Sequence, residues 1–143
     1  MVIAKTHEGY DIIGDIHGQG DELLDLLERL GYCDAGMSYT HENRQALFLG
    51  DLVDRGDQQK LVLVLGKVAL PDDLTTGCDE GEAPVLFGHC WFEAKPAPIT
   101  DNVACLDYSV PRPSGQLVAY RWTGEPSLQQ ENFIGVANTR PER

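Results

Sequence analysis

At 143 residues, 42% hydrophobic and 24% charged, the chain has the size and mix of one globular domain, able to bury roughly two-thirds of its unfolded surface in a single core. A formal net charge of −12, with 11 Lys and Arg against 23 Asp and Glu, argues against general affinity for nucleic-acid backbone and suits cations instead. No run approaches the roughly 20 apolar residues of a membrane span, and residues 1–7 lack the layout of a secretory leader, so the sequence predicts a cytoplasmic protein without a membrane partner.

Residues 10–14 form a short apolar run ending at Gly14, followed by a polar loop, Asp15-Ile16-His17-Gly18-Gln19-Gly20. Leu23, Leu24, Leu26, Leu27 and Leu30 then recur at helical spacing, opposite Asp21, Glu22, Asp25, Glu28 and Arg29, with Gly31 at the C-terminal end. This predicts an amphipathic helix over 21–30. Residues 37–44 read as a turn, and residues 45–49 as a second strand ending at Gly50. Strand, loop, helix, strand is the opening of an α/β fold.

Residues 61–70 are apolar with no clear period, and Gly66 interrupts a helix or a strand alike. Residues 71–84 read as an acidic surface loop, and Val85-Leu86-Phe87 is a third apolar run stopping at glycine, before His89. Residues 103–106 and 117–122 are predicted strands joined through an antiparallel turn region rich in Pro and Gly; residues 132–136 hint at one more. Residues 1–137 are expected to form one domain and residues 138–143 a mobile tail. The four cysteines, Cys33, Cys78, Cys90 and Cys105, form no Cys-x-x-Cys pair and fit reduced thiols better than a zinc site or a disulfide framework.

The two Gly-Asp steps, 14–15 and 50–51, are placed by this reading at the C-terminal ends of neighbouring parallel strands, where open α/β sheets hold ligands. Asp15 and His17, two apart on one loop, can turn to a point that Asp51 reaches from the adjacent strand. Carboxylate and imidazole donors of this kind suit manganese, iron(II) or zinc. Each motif alone has a plainer reading, a turn with a surface histidine or a helix start with a salt bridge, but their shared placement after glycine-ended runs favours a metal site.

Gly14-Asp15-Ile16-His17-Gly18 and Gly50-Asp51-Leu52-Val53-Asp54-Arg55-Gly56 resemble the first two signatures of the calcineurin-like metallophosphoesterases. The Asp-Arg-Gly ending resembles their phosphoprotein phosphatase branch, with its bacterial serine/threonine phosphatases and symmetrical dinucleoside tetraphosphatases. Gly88-His89 resembles the late metal-binding histidine motif, and residues 105–109 with 115–122 look like the closing hairpin of bacterial members.

The resemblance implies a metallophosphoesterase-like mixed-sheet sandwich and hydrolysis of a phosphomonoester or nucleoside polyphosphate by metal-activated water. By the same resemblance Asp15 and His17 bind a first metal, Asp51 bridges two, and His89 binds the second. Arg55 and Asp54 join the catalytic set, with Arg55 on the substrate phosphate; its alternative is a salt bridge to Asp54 or Asp57. The cofactor implied is a divalent metal, manganese first, with iron or zinc as alternatives. The partners implied are a phosphorylated small molecule, a nucleotide or a phosphoprotein.

The chain departs from the family between Arg55 and Val85. No Gly-Asn-His occurs there, and only four histidines exist, so the asparagine and further histidine of the second metal site are missing. This reads as loss of the family's central region, keeping one metal site and leaving the second short of ligands. Two alternatives to an active phosphoesterase follow: a catalytically inactive protein that binds metal or phosphate, and a deletion remnant. An incomplete domain could also hide its open core in a homo-oligomer.

Overall fold

The computed structural model describes residues 7–36, 38–65 and 84–139. Strand β1, Gly9–Ile13, runs parallel to β4, Arg44–Phe48, and antiparallel to β8, Gln116–Trp122. One edge of β8 carries β9, Phe133–Ala137; the other is shared by β7, Asp107–Tyr108, at its start and β1 at its end. This is a mixed five-stranded sheet.

Alternation along β8 separates the two faces. Leu117 and Ala119 join a core with Ile13, Ala46 and Val136, closed by Leu23, Leu26, Leu27 and Leu30 from helix α1, Gly20–Arg29, and its end. Val118 and Tyr120 face a second core with Ala104, Leu106 and Leu128. That core is covered by a two-stranded parallel sheet, β5 (Val85–Phe87) on β6 (Val103–Cys105). The α/β sandwich implied by the resemblance is therefore present, with helix on one face and a small sheet on the other.

Helix α1 covers residues 20–29, as its leucine spacing predicts, but its first turn is held from far along the chain. The Asp21 amide donates to Gln58 Oε1 at 2.8 Å, and Gln58 Nε2 donates to Asp21 Oδ1 at 2.7 Å. Gln58 immediately precedes α2, Gln59–Leu65, so the apolar run of uncertain period begins as a helix. Its Val62 is fully buried in the α1 core. The rest of that run and the acidic stretch 71–83, including Cys78, lie outside the described residues, as do residues 140–143.

Two local expectations change. β2 (Cys33–Asp34) pairs antiparallel with β3 (Tyr39–Thr40), a strand where only a turn was expected for 37–44. The hairpin that residues 105–109 and 115–122 suggested forms between β7 and β8, whereas residues 103–105 do not join it. β6 pairs with β5, and the chain changes sheets at Leu106, whose N–H donates to Phe87 O at 2.8 Å. The cause is edge occupancy: β1 already pairs with residues 119–122, leaving only residues 116 and 117 of β8 for β7.

In the middle of β1, the fully buried Asp11 accepts hydrogen bonds from Arg44 Nε (3.1 Å), Arg121 Nε (2.9 Å) and the Tyr32 hydroxyl (3.1 Å). A buried carboxylate is tolerated only with such pairing. The network ties three neighbouring strands, β4, β1 and β8.

Candidate metal centre

The last β1–β4 pair is Ile13 with Phe48, so Gly14-Asp15 and Gly50-Asp51 leave the sheet side by side, as expected for parallel neighbours. Backbone bonds then knit the two loops: Ile16 and His17 donate to Asp51 O at 2.8 and 2.9 Å, and Gly18 donates to Leu52 O at 2.8 Å. Main-chain bonds, not side-chain chance, bring Asp51 to Asp15 and His17.

Asp15, His17 and Asp51 each offer a ligand atom, all within 4.8 Å of one another. Asp15 and His17 are buried at 3% and 1% exposure, whereas the Asp51 side chain is 47% exposed. Asp15 accepts the amide of Asp51 on Oδ2 and that of His89 on Oδ1, both at 3.3 Å. Burial pushes the Asp15 carboxyl above its usual range; these amides pull it back, and nearby Asp107 raises it further.

Two glycines make room for that carboxylate. A Cβ on Gly50, whose φ is +91°, would stand 2.2 Å from Asp15 Oδ1, and one on Gly88 would stand 2.1 Å from the same atom. Only a residue without Cβ lets backbone approach so closely.

His17 Nδ1 lies 2.8 Å from Asp54 Oδ1. That contact points Nε2, which is buried and without a hydrogen-bond partner, toward Asp15 Oδ2 at 3.8 Å. An imidazole oriented by a carboxylate on one nitrogen, with the other aimed bare at an acidic group, is the arrangement of a histidine metal ligand. The donor set thus fits a divalent cation.

His89 Nδ1 lies 3.6 Å from Asp51 Oδ2, so the structure brings the expected second-site pair together, but the His89 side chain is 79% exposed. Among the described residues no third acidic, cysteine or histidine ligand joins this pair. Arg55 Nε lies 3.5 Å from Asp54 Oδ1, and its guanidinium carbon sits 4.2 Å from the centroid of the Trp91 ring. Arg55 therefore makes the salt bridge to Asp54 that was the alternative to a phosphate-binding role, and it also leans over an aromatic ring beside the site.

Neither Trp91 nor Asp107 was expected in the site, and Asp107 carries no motif signal. The Trp91 ring packs 5.4 Å from that of His17. Asp107, 1% exposed, accepts the Trp91 amide at 2.8 Å and the Ser109 amide at 3.0 Å. His17, Asp54, His89, Trp91 and Ser109 all have positive φ, from 52° to 109°, and they are the non-glycine residues recorded with it among those described. Strain of this kind, about 1–3 kcal/mol each, gathers where a site overrides local preference. The signal available in the sequence was Trp91's place two residues after His89.

The calcineurin-like phosphoesterase family model matches residues 10–77, a span holding Asp15, His17, Asp51, Asp54 and Arg55. Over this segment the chain is similar to the calcineurin-like phosphoesterases. Among curated proteins, it is 47% identical over 57 residues to the asymmetrical bis(5'-nucleosyl)-tetraphosphatase PrpE of Halalkalibacterium halodurans; the match covers 39% of this chain and 23% of that protein. It is 48% identical over 56 residues to the protein of the same name in Oceanobacillus iheyensis, covering 38% of this chain and 22% of the relative. With the Bacillus subtilis PrpE the identity is 50% over 48 residues, covering 33% and 20%. The chain thus spans less than a quarter of the length of each of these relatives.

Proposed function

We propose that this chain is a metal-dependent phosphoesterase hydrolysing a nucleoside polyphosphate or a small phosphomonoester. The observation that carries the reading is His17, buried, oriented by Asp54 and presenting a bare Nε2 to Asp15. The relatives' tetraphosphatase names support the substrate class.

In this reading Asp15 and His17 hold the first cation, and the half-exposed Asp51 closes its coordination from the solvent side. A bound cation makes water more acidic and neutralises charge on phosphoryl oxygens. Manganese suits the mixed oxygen and nitrogen donors, with iron or zinc as alternatives. Arg55 presents a planar fork of donors to phosphate, and Trp91 shields the His17 side from water. Asp54 acts by fixing His17. The other assignments proposed are a cytoplasmic protein, a single domain lacking the family's central region, and a homo-oligomer covering what that loss exposes.

The exposure of His89, whose ring pairs with Asp51 but joins no three-ligand group among the described residues, favours a second reading: a protein that binds one metal and phosphate without useful turnover. Manganese content of the purified chain and p-nitrophenyl phosphate hydrolysis, each measured beside Asp51→Asn, test both. The enzyme reading expects about one manganese per chain and turnover that the variant abolishes. Tight manganese without Asp51-dependent turnover leaves the binding reading, and failure to take up manganese overturns both.

A further inference from the structure

Trp91 is shared by two guanidiniums: the Arg55 carbon lies 4.2 Å from its ring centroid and that of Arg112 lies 5.1 Å away. Arg112 comes from the turn between β7 and β8, not from the matched segment, and no motif drew attention to it. Its side chain is 48% exposed and ion-paired to Glu93, itself 62% exposed. Both partners are free to exchange one another for a ligand, because such pairs contribute little.

The placement of Arg112 is built rather than incidental. Buried Asp107 accepts the amides of both Trp91 and Ser109, locking the ring and the start of the turn to one carboxylate. Within the turn the Arg112 amide donates to Ser109 O at 2.8 Å. Its carbonyl accepts Gly115 N–H at 2.9 Å and Asn138 Nδ2 at 3.1 Å. With the backbone held on these sides, the guanidinium has one indole to lean on and one glutamate to restrain it. The same Glu93 and Ser109, with Phe92, Lys95 and Tyr108, line a cleft of about 320 Å³, a size within the range of small-molecule sites.

We infer that Arg112 is a second phosphate-binding residue, taking the phosphate next to the one held at Asp15, His17, Asp51 and Arg55, so that the site selects phosphoanhydride chains over lone phosphomonoesters. The inference rests on the proposed phosphoesterase reading and deepens it. Both guanidiniums lie within 5.1 Å of the centre of one aromatic ring beside His17, so a ligand with adjacent phosphates can meet both, whereas a monoester meets only the nearer. Arginine suits this role because its fork pairs with phosphate oxygens while its face stays on the indole.

The test is calorimetric binding of AMP and of the non-hydrolysable α,β-methylene analogue of ADP to the full chain at a fixed excess of manganese. These probes share a nucleoside and differ by one phosphate. Arg112→Ala is expected to weaken the diphosphate analogue about tenfold, or ~1.4 kcal/mol, and AMP by less than about twofold. Arg55→Ala is expected to weaken both. Glu93→Gln releases Arg112 and is expected to tighten the diphosphate severalfold, a gain that a folding defect does not produce. Equal loss of both probes in Arg112→Ala, or no change in either with Glu93→Gln inert, overturns this inference alone. Wild-type protein that takes up manganese yet binds neither probe overturns the underlying phosphoesterase reading as well.

Discussion

His17 and Asp54 meet at 2.8 Å, imidazole Nδ1 to carboxylate Oδ1, although both residues stand in the left-handed backbone region that side chains avoid. The contact fixes which nitrogen of His17 remains for a ligand. Asp54→Ala should weaken manganese binding about 10–100-fold while leaving the thermal melt of the metal-free chain little changed. Titration of manganese against variant and wild type checks this; an unchanged affinity would remove Asp54 from the site.

Gly88 passes close to the Asp15 carboxylate, and an alanine there would put its Cβ 2.1 Å from Oδ1. Gly88→Ala should displace Asp15, lower manganese affinity at least tenfold and cost about 1–3 kcal/mol of stability. Metal titration together with urea unfolding separates the two effects.

Asp11 carries a buried negative charge between Arg44 and Arg121. Removing one partner leaves that charge underpaired, so Arg44→Met should destabilise the fold by about 3–5 kcal/mol. A double-mutant cycle with Asp11→Asn, read from urea midpoints, should show strong coupling, because the second change removes the charge that the first left exposed to the low-dielectric core.

Glu125 supplies the pH dependence. Burial pushes its carboxyl up, but hydrogen bonds from the Tyr120 hydroxyl and from the Thr123 amide and hydroxyl outweigh burial and hold it below its ordinary value of 4.5. A depressed folded-state pKa stabilises the protein above the ordinary value, and that stability is lost as pH falls from about 4.5 through the lowered value. Glu125→Gln should therefore flatten the acid limb of the stability curve in chemical denaturation between pH 5 and 3, leaving its slope above pH 6 unchanged.

Of the described cysteines, Cys33 and Cys90 are exposed and Cys105 is buried. Burial pushes the Cys105 thiol up to about 11, so at neutral pH it is almost wholly protonated and shielded. Ellman's reagent should label the exposed thiols rapidly, and Cys105→Ser should leave that fast phase unaltered while removing one thiol that reacts only after unfolding.

Local pattern made much of this molecule readable. The leucine spacing of α1 and the strands at 9–13, 44–48, 85–87, 116–122 and 133–137 follow from periodicity and from glycine as a stop. So does the convergence of Asp15, His17 and Asp51, because parallel neighbours that end together must present their next residues together. Where periodicity was silent, in the apolar run after Asp57, the helix over Gln59–Leu65 rests on contacts with α1 that no local window contains.

Two glycine-ended runs, the first followed by carboxylate and imidazole and the second by carboxylate and guanidinium, were enough to expect a candidate cation site with an arginine beside it. Tertiary structure alone decided how that site is supported. Asp54 turns to His17, Asp107 pins Trp91 and Ser109 together, and Arg112 arrives on the Trp91 ring. The physical reason is distance along the chain. Asp54 lies 37 residues from His17 and Asp107 lies 16 from Trp91, separations at which no backbone period relates one side chain to another and only packing can.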